Sequence, residues 1–279
     1  MKRDGREIAR QNELRVMKAL HKFGWLRTRD VAVLLWMKSR AKPLGDFVPT
    51  PIVVTASAMR MAQRTLLRLR NDRKVIWIQA PDGSTIYGLA EAGARQLISL
   101  DIPAKSAKDS VRRVSMSHYH HRRIANEIAI VAQLQGYRAA SEAEIAAGVW
   151  LGGMKGIQGK KPDVVVRDGK NVWWVEVERS RRNANDYVKL LAWLKGLWQT
   201  GSHAMALAEL PDGHILMKVQ FVCDGAFIDR LEADLQKIGW SETQIKHRIS
   251  QMRLLYVSQA KFLLKSQPKA PAQAKAMSV

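Results

Sequence analysis

The 279-residue sequence has a single cysteine, Cys223, so it cannot form an internal disulfide or a zinc site built from several cysteines. It contains no apolar run of the roughly 18 residues that a membrane-spanning helix needs. The first residues lack the apolar stretch of a secretory signal. No glycine-rich segment has the spacing of a phosphate-binding loop. We therefore expect a cytoplasmic protein without a nucleotide cofactor or a membrane partner.

Acidic residues are scarce relative to basic ones. The chain has 25 Asp and Glu against 46 Lys and Arg, for a net charge of +21. Residues 1–123 carry 25 basic and 10 acidic residues, a balance of +15, whereas residues 124–279 carry 21 and 15, a balance of +6. Such an excess attracts a polyanion through the release of condensed counterions. We expect double-stranded DNA as the partner, bound mainly by the first half.

The pattern of the first half is that of helices followed by a β-hairpin. Apolar residues at helical spacing precede Gly24, and Thr28 is expected to cap a second helix. The proline-containing segment 38–54 is predicted to be a loop or an extended insert. Helices are predicted for residues 14–23, 29–37, 56–70 and 90–99, and strands for residues 75–79 and 85–89. This order predicts a winged helix-turn-helix domain over residues 1–103.

The third predicted helix is the expected recognition helix. Arg60, Arg64 and Arg68 are four residues apart and should share one face, where guanidinium groups can contact phosphates or read guanine. A solvated helix face is the alternative for such a row. The hairpin and the linker add further candidates. The residues that we expect to bind DNA are Arg60, Gln63, Arg64, Arg68, Lys74, Trp77, Arg112 and Arg113.

The second half is predicted to be a separate α/β domain over residues 118–264. A basic linker, 104–117, precedes it, and a low-complexity tail, 265–279, is expected to be disordered. No clear pattern covers residues 136–160. Helices are predicted for residues 118–135, 183–198, 224–238 and 241–264, and strands for residues 162–167, 172–178, 203–208 and 214–222.

Acidic residues occur at informative places on two of these strands. Asp163 begins one strand, and Glu176 and Glu178 lie two apart on the next, where alternate side chains face the same side. Three such carboxylates can hold Mg²⁺ or Mn²⁺ through oxygen, and Glu127 on the preceding helix could add a fourth ligand. The alternative is structural, with Glu178 pairing with Arg179, Arg181 or Arg182.

A histidine pair, His118 and His120, flanks Tyr119. Two histidines separated by one residue form the metal motif of tyrosine relaxases, in which a tyrosine is the nucleophile. In those enzymes the pair lies on a strand, whereas here the segment opens a predicted helix, where residues two apart diverge. We expect a capping or DNA-facing role for these histidines.

The strand pair with its acidic residues resembles the PD-(D/E)XK nuclease fold, whose core runs α-β-β-β-α-β. The lysine that ends the motif is replaced here by Glu178. In some members the lysine comes from the following helix, and Lys189 matches that position. The resemblance implies Asp163, Glu176, Glu178 and Lys189 as catalytic residues, and Asp163, Glu176 and Glu127 as metal ligands.

Residues 14–200 resemble the replication-relaxation family more specifically. The resemblance rests on IYGLAEAGARQL after the hairpin turn, HHRRIANEIAIV, KPDVVV and WWVEVERS, in that order. This family pairs a winged helix with a degenerate PD-(D/E)XK-like domain and is related to MobC-type plasmid relaxases. The resemblance implies a role in plasmid or mobile-element replication, mobilisation or conjugation.

The sequence leaves two functions open for an α+β or α/β protein of this kind. The first is a metal-dependent DNA nickase, a relaxase-like endonuclease that uses Mg²⁺ or Mn²⁺. The second is a non-catalytic DNA-binding protein, acting as an accessory factor, a replication initiator or a transcriptional repressor with a degenerate nuclease fold. In either case a homodimer is compatible with the sequence.

Overall fold

A computed structural model describes residues 4–178, 183–198 and 208–253 of the chain. These residues form a mixed α/β structure, and none of its helices is long and apolar enough to cross a membrane. The helices are α1 Gly5–Phe23, α2 Thr28–Trp36, α3 Ala56–Asn71, α4 Glu91–Ile98, α5 Lys108–Arg112, α6 Met116–Leu134, α7 Glu142–Ala146, α8 Ala184–Leu197, α9 Gly225–Lys237 and α10 Glu242–Arg248. The strands are β1 Trp25–Arg27, β2 Val75–Gln79, β3 Thr85–Leu89, β4 Arg138–Ala140, β5 Val164–Asp168, β6 Asn171–Val177, β7 Ala208–Leu210, β8 His214–Cys223 and β9 Ile249–Arg253.

The first half of the chain forms helices α1 to α5 and a small antiparallel sheet of order β1-β3-β2. Helix α1 ends at Gly24, whose φ of 72° is easily adopted by glycine. The predicted helices at 56–70 and 90–99 and both hairpin strands are confirmed as α3, α4, β2 and β3. Strand β1 was not predicted, because its three residues lie between two helices and are too few to show an alternating pattern.

The cap of α2 differs from the prediction by one residue. Thr28 is the first helical residue, and Arg27 is the capping residue. The Asp30 carboxylate accepts hydrogen bonds from the Arg27 backbone N–H at 2.9 Å and from the Arg27 guanidinium at 2.7 Å. The Asp30 carboxylate, at the third helical residue, therefore binds the backbone N–H of the capping residue, as the third residue of a capping box does.

The second half contains a mixed sheet of order β4-β5-β6-β8-β7, with β9 paired to β8. Strands β4, β5 and β6 are antiparallel neighbours, and β8 runs parallel to β6. The unassigned stretch 136–160 contains β4 and α7. The helix expected over 241–264 is wrong in length: α10 ends at Arg248, and β9 follows it. Residues 254–264 and the expected disordered tail lie outside the described residues.

The large sheet is covered on both faces. Trp173 and Val175 point from β6 into a core shared with α6, whereas Trp174, between them, packs with Trp193 of α8 on the opposite face. Alternation along a strand explains this division. The core that includes α6 also contains buried residues of α1, α2 and α3, so apolar packing is continuous between the two halves.

The segment 38–54 contains no helix or strand but is fixed against the large sheet. Phe47 is fully buried and lies edge-on to Tyr137, and its carbonyl accepts a hydrogen bond from Gln220 at 2.8 Å. Asp46 pairs with Lys218 of β8 at 2.6 Å. The insert of the first half therefore packs on the second half.

The predicted linker 104–117 is also structured. It contains α5, whose Val111 is fully buried. A Cβ atom at Gly88 of β3 would lie 2.6 Å from the Val111 side chain, so glycine is needed for this close approach. The polar composition of the segment concealed the few apolar residues, Val111 above all, that hold it against the hairpin.

Candidate functional site

Helix α3 presents a basic face to solvent. Thr55 caps its first turn by accepting a hydrogen bond from the Ala58 N–H, and Ala62, Leu66 and Leu69 are buried. Arg60, Gln63, Arg64 and Arg70 are exposed. At 100° per residue these four side chains fall within one stripe about a third of the helix wide. Three of the predicted residues, Arg60, Gln63 and Arg64, are thus exposed on this face. Arg70, which was not predicted, lies on the same face.

Arg68 differs from the other arginines of the row. Its Nε atom donates to the Glu13 carboxylate of α1 at 2.7 Å, and the side chain is 42% exposed. The spacing of four residues suggested a common face, but eight residues along a helix accumulate an offset of about 80°. Arg68 therefore lies at the margin of the face and links α3 to α1.

The hairpin contributes an aromatic side chain beside α3, and the segments around the hairpin contribute basic ones. Trp77 on β2 is 43% exposed, and the Arg70 guanidinium lies over its ring at 4.1 Å from the centroid. Lys74 pairs with Asp72 at 3.0 Å. Arg112 and Arg113, at the end of α5, are exposed. Arg70 was missed in the sequence because it falls outside the four-residue spacing.

The turn of the hairpin is bound to α6. The Asp82 carboxylate accepts a hydrogen bond from Arg123, and the Ser84 hydroxyl lies 2.9 Å from the Tyr119 hydroxyl. Burial alone would raise the pKa of Asp82, but hydrogen bonds from Ser84, Tyr119 and Arg123 lower it well below its ordinary value. The charged form of Asp82 is thereby favoured.

Tyr119 is fully buried and stacks on Trp25 with ring centroids 5.5 Å apart. Burial raises the pKa of Tyr119 to about 12. His118 is exposed and His120 is half-buried, as expected for neighbours two apart on a helix. A hydroxyl inside the protein cannot reach a phosphodiester, so the arrangement of a tyrosine nucleophile is absent from this helix.

Asp163 and Glu176 lie opposite each other on neighbouring strands. The register of β5 and β6 pairs Val164 with Val175, which places these two residues at the next position. Asp163 Oδ2 accepts a hydrogen bond from the Val177 N–H at 2.7 Å, and Oδ1 lies 2.9 Å from His121 Nε2. The two carboxylates that the sequence singled out are thus brought together.

The environment of Glu176 is basic and aromatic. Its carboxylate accepts hydrogen bonds from the Trp174 indole N–H at 2.5 Å and from the Lys160 ammonium, and the side chain is 4% exposed. Burial raises the pKa of Glu176, Lys160 lowers it, and the charge of Asp163 raises it further. Lys160 was not predicted, although it stands directly before the segment Lys161-Pro162-Asp163.

His121 of α6 completes this group. We call Asp163 and Glu176 the acidic pair, and Lys160 and His121 its two basic partners. Burial lowers the pKa of His121, but the hydrogen bond and the charge of Asp163 raise it above its ordinary value of 6.5. Each carboxylate thus has a basic partner. The acidic pair is arranged as an ion-pair network of the protein itself.

The other predicted site residues are placed elsewhere. Glu127 contacts Arg29 at 3.0 Å and Arg27 at 3.5 Å, at the junction of α2 and α6. Lys189 is 79% exposed on α8 and pairs with Asp186 at 3.8 Å. Glu178 is buried, and its backbone N–H donates to the Val222 carbonyl. Its suggested partners Arg179, Arg181 and Arg182 lie outside the described residues.

Mg²⁺ and Mn²⁺ require several oxygen ligands that converge on one point. Among the described residues, no group of three or more His, Cys, Asp or Glu side chains could hold a metal ion. Lys160 and Trp174 both contact the Oε1 atom of Glu176, and Glu127 is bound by arginines. The acidic pair thus brings together two of the three predicted metal ligands, and the third, Glu127, lies elsewhere.

Comparison with known proteins gives one match. A family model described as replication-relaxation matches residues 45–212, more than half of the chain. The matched part includes α3, the hairpin, α6 and the acidic pair. No curated protein and no solved structure matches the chain.

Proposed function

Because the chain belongs to the replication-relaxation family, we propose that it binds double-stranded DNA during the replication or mobility of a DNA element. The observation that carries the proposal is the exposed face of α3, with Arg60, Gln63 and Arg64 side by side. Side chains of this length and charge can contact phosphates and read bases in the major groove. The net charge of +21 supplies the long-range attraction.

The order of elements supports this proposal. Three helices followed by a hairpin is the order of a winged helix-turn-helix, in which the third helix enters the major groove. In the second half, α6, β4, β5, β6, α8 and β8 come in the order α-β-β-β-α-β, with α7 inserted after β4, β7 inserted after α8, and β8 parallel to β6. We propose that this half is a PD-(D/E)XK-like fold that has kept its scaffold.

The acidic pair favours a protein that binds DNA without cutting it. Glu176 is buried, and its Oε1 atom is bound inside the protein by Lys160 and Trp174. Lys189 is in contact with Asp186 on the exposed side of α8. The second half then serves as a support for the first, through the continuous core and the contacts of α6 with the hairpin.

Duplex binding by a variant of the α3 face tests the proposal. We expect Arg60→Ala/Arg64→Ala to lower affinity for duplex DNA by at least about tenfold and to reduce the slope of log affinity against log salt by about 2. The matched control is Lys195→Ala/Lys246→Ala, which removes two exposed charges from α8 and α10. Equal losses in both variants would show that α3 is not the interface.

DNA nicking is a second function, favoured by the position of Asp163 directly opposite Glu176. The test is conversion of supercoiled plasmid to the open circle with Mg²⁺ or Mn²⁺, comparing wild type with Asp163→Ala and Glu176→Ala. The binding function predicts no nicking above background in any of the three proteins. Metal-dependent nicking that both variants lose would establish the nickase instead.

A further inference from the structure

An open cavity of about 400 Å³ lies beside the outer edge of the hairpin. We call it the Trp77 cleft; its polar wall consists of Arg70, Arg73, Trp77 and Arg112. Strand β2 is the edge strand of the small sheet, so the cleft borders a strand edge that no other strand covers within the described residues. The cleft is formed by three separate elements: the end of α3, β2 and α5.

The charge of the Trp77 cleft has one sign. Three arginines line it, and none of its lining residues in the described part of the chain is acidic. Asp72 lies nearby, but its carboxylate is paired with Lys74 at 3.0 Å. Three guanidinium groups around one concave surface attract an anion, and phosphate is the anion that arginine binds in a fork geometry.

The aromatic side chain gives the cleft a second property. Trp77 is 43% exposed although it lies on a strand whose Val75 is buried. The Arg70 guanidinium, 4.1 Å from the ring centroid, holds the indole in place and leaves part of the ring open to solvent. An exposed indole beside several arginines is suited to a ligand that combines a flat base with a phosphate.

The Trp77 cleft is continuous with the exposed face of α3. Arg70 belongs to the same stripe as Arg60, Gln63 and Arg64 and also lines the cleft. The rise of 1.5 Å per residue puts Arg70 about 9 Å along the helix axis from Arg64, the length of roughly three nucleotides of one DNA strand. A strand that leaves a duplex on α3 would therefore reach the cleft within a few nucleotides.

We propose that the Trp77 cleft binds unpaired nucleotides of single-stranded DNA, with a base on the Trp77 indole and phosphates at Arg73 and Arg112. This assignment rests on the proposed DNA-binding function and adds a second substrate form, single-stranded DNA, at a separate set of residues. In a duplex the bases are stacked on each other, so the indole face can stack only on an unpaired base.

Binding of a fluorescently labelled oligodeoxythymidine, measured by anisotropy, tests this proposal against binding of a labelled duplex. We expect Trp77→Ala to lower affinity for the oligodeoxythymidine by about 5- to 100-fold and to lower duplex affinity much less. Trp77→Phe retains an aromatic face and should lose no more than about threefold. Arg112→Ala, which leaves the indole and the β2 strand intact, should also weaken oligodeoxythymidine binding.

The outcomes separate this proposal from the duplex-binding function. Unchanged oligodeoxythymidine affinity in both Trp77→Ala and Arg112→Ala overturns the assignment of the cleft, whatever the Arg60→Ala/Arg64→Ala variant shows. Equal losses for oligodeoxythymidine and duplex overturn it too, because the cleft would then contact paired DNA. A third outcome is that Arg60→Ala/Arg64→Ala leaves duplex affinity unchanged while Trp77→Ala and Arg112→Ala weaken oligodeoxythymidine binding. In that case the α3 assignment is wrong and the assignment of the Trp77 cleft stands.

Discussion

The Asp82 carboxylate in the hairpin turn accepts a hydrogen bond of 2.9 Å from the Arg123 guanidinium of α6. The neighbouring Ser84 hydroxyl lies 2.9 Å from Tyr119 of the same helix. The tip of the hairpin is thus bound to the second half of the chain. The Asp82 and Ser84 side chains at the tip are therefore engaged with α6, whereas the face of α3 and Trp77 on β2 are open to solvent.

Removal of the Asp82 carboxylate should destabilise the protein. Asp82→Ala leaves the 9%-exposed Arg123 side chain without its acceptor, and we expect the free energy of unfolding to fall by about 1–3 kcal/mol. The control is Asp72→Ala, whose pair with Lys74 is at the surface and should contribute less than about 1 kcal/mol. Urea unfolding of both variants measures the difference; equal losses would contradict the role of the turn.

The contribution of Asp82 should depend on pH. Its pKa in the folded protein is well below the ordinary value of 3.8, so the unfolded chain binds the proton more tightly. The stabilisation is complete above that ordinary value and is lost as the pH falls below about 4. The difference in unfolding free energy between wild type and Asp82→Asn should therefore shrink from pH 7 to pH 3. A constant difference would exclude the charge as its source.

Substitutions at Lys160 and Glu176 should have strongly coupled effects on the free energy of unfolding. Lys160→Met removes a cation that contacts the buried Glu176 carboxylate, and we expect a loss of about 3 kcal/mol in the free energy of unfolding. The double variant Lys160→Met/Glu176→Gln removes both charges and should regain at least half of that loss. Chemical denaturation of the single and double variants measures the coupling, and simple additivity would argue against the pair.

The segment 38–54 should contribute to stability through Phe47. We expect Phe47→Ala to lower the free energy of unfolding by about 3–5 kcal/mol, because it empties a buried site beside Tyr137. Leu44→Ala in the same segment removes a fully exposed side chain and should change stability by less than about 0.5 kcal/mol. Thermal unfolding compares the two, and a small effect at Phe47 would show that the segment is not packed.

Arg64 and Arg68 should separate DNA binding from stability on one helix. We expect Arg64→Ala to weaken duplex binding by about 5- to 100-fold with little change in stability. Arg68→Ala should lower stability by up to about 1 kcal/mol through the lost contact with Glu13, and weaken DNA binding less. Titration of duplex DNA and urea unfolding of the same two variants provide both readings. A larger loss of DNA binding in Arg68→Ala than in Arg64→Ala would contradict the proposed binding face.

The local pattern of the sequence predicted most helices and strands. Periodic apolar residues identified α3 and α6, and alternation identified β5 and β6, because burial of one face requires these spacings. Short or mixed elements were missed, such as β1 and β9, since a few residues carry no detectable period. The helix predicted beyond Arg248 was too long because β9 is buried through its pairing with β8, a contact distant in sequence.

The candidate site also has a part that the sequence could predict and a part that it could not. Strand register follows from alternation, so the sequence could predict that Asp163 and Glu176 are neighbours. The partners of those carboxylates could not be predicted, because Lys160 lies in an irregular loop and His121 comes from α6. Arg68 was expected on DNA, and only the packing of α1 against α3 shows that Glu13 binds it.

The sequence by itself determined the basic first half, the recognition-like helix and the opposed carboxylates, because charge, helical period and strand alternation are local properties. Only the tertiary structure decided which charged side chains are held in internal ion pairs and which are exposed to solvent. Long-range contacts bind Asp82 to Arg123 and Glu176 to Lys160, and they leave Arg60, Arg64 and Trp77 exposed. The use of an ionic group depends on which distant residue desolvates or pairs with it, and the fold sets that pairing.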